Sequence, residues 1–245
     1  CHKYKRNMNK KNFLRTLFTM LKDLQSLFFP PICLACKGPV AGEDVLICAT
    51  CQANLPFTTH HLQKDNLMEQ RFWGRINIER ATAFLQFQKG GSVQNLLHFL
   101  KYEHREDLGI YLGNWYGREL NESDIYKNID YVIPVPIHKQ RLKKRGYNQI
   151  EQFSRCIALQ IGKEYRGDLL IRVKNSSTQI NRSKEERFSH LERAFSWKTP
   201  GALEGKHILI IDDIMTTGAT FEACCYPLKN INGIKISICT LAIAE

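Results

Sequence analysis

Apolar and polar positions alternate along this chain in two rhythms, one helical and one strand-like. Phe13, Leu14, Leu17, Phe18, Leu21, Leu24, Leu27 and Phe28 recur at helical spacing, which predicts an amphipathic helix from about 12 to 28, ended by Pro30-Pro31. Residues 52 to 80 have mixed polarity and read as a connector. Ala81 to Phe87 reads as a strand, closed by Lys89-Gly90-Gly91. Ser92 is placed to cap a helix through Tyr102, with Val93, Leu96, Leu97 and Leu100 on one face. A second helix fits residues 106 to 120, and Tyr131 to Val135 is a short apolar strand stopped by Pro134 and Pro136. Residues 148 to 161 are helical in pattern. His207 to Ile211 is a continuous apolar run, as expected of a parallel strand covered on both faces. A helix over 219 to 230 and a buried strand over 234 to 243 follow. Strands alternating with helices predict an α/β domain with a parallel sheet.

Composition narrows the class. The chain has 245 residues, enough for one large domain or one domain plus a small module. Apolar residues make up 43% and charged residues 24%, which excludes wholesale disorder. No run of 18 apolar residues occurs, so a membrane span is not expected. The net charge is +11, which favours anionic partners: phosphorylated substrates, nucleic acid or an anionic surface. The nine cysteines are odd in number and mostly scattered, which argues against a disulfide framework and for a reducing, cytoplasmic setting. The basic start, Lys3 to Lys11, resembles a signal peptide only superficially, because Arg15, Lys22 and Asp23 interrupt the apolar part. The helix over 12 to 28 therefore reads as a packing helix, with membrane-surface binding as the alternative. Met8 and Met20 each offer a start, so residues 1 to 19 read as an extension.

Cys33-x2-Cys36 is followed by eleven residues and then Cys48-x2-Cys51. Each knuckle bends the backbone so that two thiolates reach one ion, and two knuckles complete a tetrahedral Zn²⁺ shell. Redox dithiols and an iron–sulfur cluster are the competing readings. Four protein thiolates leave no open position, so the zinc would be structural, and its binding would supply the folding energy of this short segment. Gly38 suits the tight turn of the first knuckle. His60 and His61 lie nearby and read as surface residues, since the shell is already full.

The densest chemistry lies in Ile208-Leu209-Ile210-Ile211-Asp212-Asp213-Ile214-Met215-Thr216-Thr217-Gly218-Ala219-Thr220. An apolar strand ends in two carboxylates, and a Thr/Gly loop leads into a helix. Ligands bind beyond the carboxyl ends of strands in open α/β sheets. Loop and helix-start N–H groups can hold a phosphate, with the threonine hydroxyls as further donors. One or both carboxylates can accept hydrogen bonds from sugar hydroxyls, so the parts together suit a ribose 5-phosphate. A plain strand–turn–helix connection with capping threonines is the alternative.

Lys139, Arg141, Lys143, Lys144 and Arg145 place five cations in seven residues, before Gly146-Tyr147-Asn148-Gln149. The run reads as a solvated surface, as a mobile loop whose cations stabilise a leaving pyrophosphate, or as a single-stranded nucleic-acid track with Tyr147 stacking on a base. His138 stands near this run and reads as solvent-exposed.

The stretch from the apolar strand through Thr216-Thr217-Gly218-Ala219-Thr220 resembles the phosphoribosyl pyrophosphate (PRPP) motif of type I phosphoribosyltransferases. Leu27-Phe28-Phe29-Pro30, the four-cysteine module, Pro134-Val135-Pro136 and Arg145-Gly146-Tyr147-Asn148-Gln149 resemble, in order, the competence protein F family of bacteria. The resemblance covers about residues 20 to 243. It implies a type I phosphoribosyltransferase fold with a small N-terminal zinc ribbon: a basic extension and helix over 1–30, the zinc module over 31–60, and the phosphoribosyltransferase-like domain over 61–245. It implies that Thr216, Thr217, Gly218, Ala219 and Thr220 hold the 5-phosphate. Asp212 and Asp213 would take the ribose hydroxyls, and the turn at Pro136 would approach the pyrophosphate. Lys101-Tyr102 resembles a position near the ligand. Lys143 and Arg145, with the acidic pair, are the expected catalytic groups, and Mg²⁺ would arrive on PRPP. Gln179 and Arg187 resemble a recurring middle segment. One position departs: the purine-salvage enzymes have an acidic general base where this chain has Thr216. The expected function is transfer of phosphoribose to an acceptor with loss of pyrophosphate. The alternative is a non-catalytic role in DNA uptake, binding single-stranded DNA or a DNA-processing partner.

Overall fold

The computed structural model describes residues 30–173 and 194–244. The helix expected over 12 to 28, and Gln179 and Arg187, lie outside the described residues. The chain divides between Asn54 and Leu55 into two units.

The first unit is held together by short backbone ties. Cys33 N–H donates to Gly38 O at 2.8 Å, Lys37 N–H returns to Cys33 O at 2.8 Å, and Leu34 N–H reaches Leu46 O at 2.8 Å. Helix α1 (Ala49–Asn54) carries Cys51. The left-handed residue of the first knuckle is Lys37, φ 64°. Gly38 contributes close approach instead: its N–H donates to Cys36 Sγ at 3.4 Å.

The second unit is built on a five-stranded, wholly parallel sheet in the order β1-β7-β6-β2-β3. Its strands are β1 (Arg80–Phe87), β2 (Tyr131–Pro134), β3 (Glu164–Tyr165), β6 (His207–Met215) and β7 (Lys235–Ala244). Ile133, Ile208, Ile210 and Ile238 enter one hydrophobic cluster, while the alternate positions Val132, Leu209, Ile211 and Leu241 are fully buried as well. Both faces are thus covered, which is why these strands read as unbroken apolar runs. A separate antiparallel pair, β4 (Leu170–Arg172) and β5 (Phe195–Trp197), is pinned by the Trp197 indole donating to Cys224 O at 2.9 Å.

Helix α2 (Leu67–Gln70) lies inside the expected connector. Asn66 caps it by accepting from Met68 N and Glu69 N at 3.0 Å each. A buried ion pair between Glu69 and Arg80, at 2.6 Å, ties it to β1. Helix α3 spans Ser92–Tyr102; its cap is Gly91, so Ser92 is the first helical residue and makes no cap. Helix α4 (Glu106–Glu122) packs along α6 (Glu151–Gln160) through Gly109, Gly113 and Gly117. A Cβ at Gly113 would sit 2.6 Å from Phe153 O, and one at Gly117 2.7 Å from Gln160 Cβ. His61, expected at the surface, is buried with its ring edge-on to Tyr116 at 5.8 Å.

Three elements depart from expectation near the sheet's C-terminal edge. The basic run is a helix, α5 (Lys139–Arg145), without a buried residue. His138 Nδ1 accepts from Gln140 N at its start, and Gly146 at φ 80° closes it. Strand β6 continues through the acidic pair to Met215, and α7 (Ala219–Cys225) yields at Tyr226-Pro227 to a 3₁₀ turn.

Candidate ribose-phosphate site

A cavity of about 560 Å³ opens beyond the C-terminal ends of β2 and β6. The sheet sets its floor, because Val135 N–H donates to Ile211 O at 2.7 Å and so carries the chain after β2 along β6. Pro136 and Ile137 line one wall, Asp212, Asp213 and Ile214 another. The last turn of α3 brings Lys101 and Tyr102, α5 brings Arg141, Lys144 and Arg145, and β4 brings Arg172. Five cationic side chains thus face two carboxylates in one cavity. That imbalance favours a multiply charged anion.

Asp213 is buried and fixed through one oxygen. Its Oδ2 takes the Lys101 ammonium at 3.1 Å and the Gln149 amide at 2.7 Å. The other end of that amide, Oε1, accepts from Arg145 Nη1 at 2.7 Å. Asp212 Oδ1 accepts the backbone N–H of Asp213 at 2.8 Å. Each carboxylate therefore keeps one oxygen outside these bonds. Burial and the neighbouring Asp213 charge push the Asp212 carboxyl up to about 8, against the pull of the Asp213 N–H, Lys101 and Arg172. Burial, and then Arg141, lowers the Arg172 guanidinium, which stays charged at neutral pH. Among the described residues neither Arg141 nor Arg172 has a carboxylate within ion-pair distance. At the rim, Tyr102 is 59% exposed, with the Arg145 guanidinium 5.1 Å from its ring centroid.

The structure brings Lys101, Pro136, Arg145, Asp212, Asp213 and Thr220 into this cavity. Lys143, Thr216, Thr217, Gly218 and Ala219 are not in its wall. Thr216 and Thr217 are exposed beside it, and Gly218 is buried at φ 82°. A Cβ at Gly218 would meet Phe72 Cε1 at 2.8 Å. Arg141 and Lys144 belong to the run that one sequence reading places over the pyrophosphate; Gln149 has no assigned role in the sequence, and Arg172 carries no signal there. Arg172 sits on a three-residue strand that shows no periodicity.

In the first unit, the Sγ atoms of Cys33, Cys36, Cys48 and Cys51 all lie within 4.8 Å of one another. Tetrahedral zinc with bonds of about 2.3 Å requires sulfurs roughly 3.8 Å apart, so the cluster fits with small adjustments. Backbone N–H groups of Cys48 and Cys51 already point at Cys33 Sγ (3.3 Å) and Cys48 Sγ (3.4 Å). Burial opposes ionisation of Cys33, but N–H donors from Cys36, Cys48 and Ala35 outweigh it and bring the thiol down to about 6. The four sulfurs can hold a structural metal ion.

A phosphoribosyl transferase domain model matches residues 157–244. The chain is 26% identical over 211 residues to the DNA utilization protein YhgH of Salmonella typhimurium, covering 79% of this chain and 88% of that protein. It is 27% identical over 128 residues to competence protein F of Haemophilus influenzae, covering 52% and 56%. It is 36% identical over 106 residues to competence protein ComFC of Bacillus subtilis, covering 42% and 41%. The chain is thus similar to proteins of the competence protein F family. The parallel sheet and the matching domain model give it the type I phosphoribosyltransferase fold, with a small four-cysteine module preceding it in sequence. Among the described residues no helix is long and apolar enough to cross a membrane.

Proposed function

We propose that this protein binds PRPP with Mg²⁺, or a closely related ribose 5-phosphate, in the cavity at the ends of β2 and β6. The observation that carries the reading is the pairing, in one cavity, of a two-carboxylate strand end with Arg141, Lys144, Arg145 and Arg172. The two uncommitted carboxylate oxygens are acceptors for a vicinal diol, and the cations suit a pyrophosphate group. Asp212 and Asp213 are the carboxylates available to a Mg²⁺ ion carried by the ligand, which would screen the pyrophosphate charge. In transfer, the C1–O bond breaks and pyrophosphate leaves with the electron pair, while an acceptor bonds to C1. Arg141, Lys144, Arg145 and Arg172 stabilise the charge on the departing group, and the cavity holds donor and acceptor in line. Thr216 is no general base at neutral pH, so the acceptor arrives as a competent nucleophile or loses its proton to water. Zinc is the ion proposed for the four-cysteine cluster, in a structural role.

A second reading rests on α5. Its cations lie on a helix with no buried residue, beside the exposed Tyr102, and Lys139 and Lys143 are not in the cavity wall. That arrangement suits the backbone of single-stranded DNA with base stacking on an aromatic ring, in keeping with the names of the relatives.

Calorimetric titration of the zinc-loaded protein with PRPP and Mg²⁺, with Asp213→Asn as control, separates these. Saturable binding lost in the variant supports the first reading and justifies an acceptor screen. Absence of binding by folded protein would sink it. A DNA affinity that falls with salt and is lost on charge reversal at Lys139 and Lys143 then supports the second.

A further inference from the structure

The loop from Thr216 to Gly218 is held from behind by the turn that follows α2. Arg71 Nη1 donates to Thr216 O at 2.6 Å and also to Ala244 O at 2.6 Å, at the end of β7. Arg75 Nη1 donates to Thr217 O at 2.9 Å and to Arg71 O at 2.9 Å. Between them, Phe72 lies under Gly218. Three consecutive loop residues thus rest on three residues of one turn. That turn is itself fixed, through Asn66 at the cap of α2 and the buried Glu69–Arg80 pair.

The peptide bonds here are trans. In a trans peptide the C=O and the N–H that follows it point in opposite directions. With the Thr216 and Thr217 carbonyls drawn to the arginines, the N–H groups of Thr217 and Gly218 are turned to the far side of the loop. Neither N–H donates to a protein acceptor among the described residues. We propose that Arg71 and Arg75 are positioning residues of a phosphate-binding loop: they hold the Thr216 and Thr217 carbonyls back so that the N–H groups of Thr217 and Gly218 face a ligand's terminal phosphate. Arg75 is balanced by its ion pair with Glu222. Arg71 has no carboxylate within ion-pair distance among the described residues, so its charge adds to the field at the loop. Neither arginine touches the ligand. The inference rests on the ribose 5-phosphate reading above.

The test is calorimetry on the full zinc-loaded chain with two probes, ribose 5-phosphate and inorganic pyrophosphate, for wild type, Arg71→Lys, Arg71→Ala and Arg75→Ala. The expected result is a loss of ribose 5-phosphate affinity of about tenfold or more in Arg71→Ala and Arg75→Ala, the size of one charged hydrogen bond. Pyrophosphate, held by α5 and Arg172, should change by less than about threefold, within the ordinary scatter of a distant substitution. Arg71→Lys keeps the charge but has a single-pronged head, and should fall between. Arg75 is 40% exposed at its side chain, so Arg75→Ala folds even if Arg71→Ala does not. Wild-type protein that ignores ribose 5-phosphate overturns the site reading and this inference with it. Wild-type binding that survives intact in Arg75→Ala and Arg71→Lys, or an equal loss of both probes, overturns the inference alone.

Discussion

The Gln149 amide donates to Asp213 Oδ2 at 2.7 Å, the same oxygen that takes the Lys101 ammonium at 3.1 Å. Because the other end of that amide accepts from Arg145, the basic helix α5 and the acidic strand β6 are joined through a single buried side chain. Replacing Gln149 by Leu removes both bonds at similar volume. PRPP affinity should fall by about tenfold, the scale of one hydrogen bond to a charged group. In a double-mutant cycle with Arg145→Ala the two losses should be less than additive. Additive losses would show that α5 and Asp213 act independently.

Asp212 makes the unliganded protein pH-sensitive. Unfolded, this carboxyl titrates near 3.9, while folded it titrates at about 8. Between those values the native state keeps a proton that the unfolded chain has released, so stability falls as pH rises from about 4 to about 8. Asp212→Asn removes that term. The variant's melting temperature should exceed the wild-type value by a margin that grows between pH 5 and pH 8. Thermal melts across that range check this, and parallel curves would contradict it.

Metal should be stoichiometric and confined to the first unit. Elemental analysis should find one zinc per chain, lost in Cys48→Ser. Chelation should expose residues 30–54 to protease while the sheet unit keeps its melting transition, since a short segment of this kind takes its stability from the ion. Retention of the ion in Cys48→Ser would contradict a four-thiolate shell.

Two glycines should not tolerate a methyl group, for different reasons. At Gly218, φ 82° costs an L-residue about 1–2 kcal/mol and the Phe72 ring occupies the space a Cβ needs. Gly218→Ala should weaken ribose 5-phosphate binding as well as stability. At Gly113 the obstacle is the Phe153 backbone in α6, and overpacking there should cost about 1–3 kcal/mol. Denaturant unfolding measures the second, and ligand affinity at saturating stability should be unchanged in it.

The strands β6 and β7 were legible in the sequence because burial on both faces makes them mostly apolar, with Ile208 to Ile211 unbroken. The acidic pair and Thr/Gly loop were legible because they are contiguous. The helicity of α5 was not, since five cations in seven residues show no apolar face, and local capping by His138 and Gly146 decides the conformation. Gln149 stood in a recognisable motif, but its partner is 64 residues away. Arg71 reaches a carbonyl 145 residues away, from beside a four-residue helix too short to carry any periodicity.

Strand order has a consequence for biosynthesis. The strand flanking β1 is β7, and β6 lies between β7 and β2. A ribosome-bound chain that has emerged only through Pro136 holds the α3 and Pro136 walls of the cavity but no acidic pair, and its β1 has no strand to join. The ligand site therefore closes only after β6 and β7 have left the tunnel, as a late event dominated by contacts distant in sequence, which fold slowly. Until then the nascent protein has unpaired strand edges of the kind that chaperones cover.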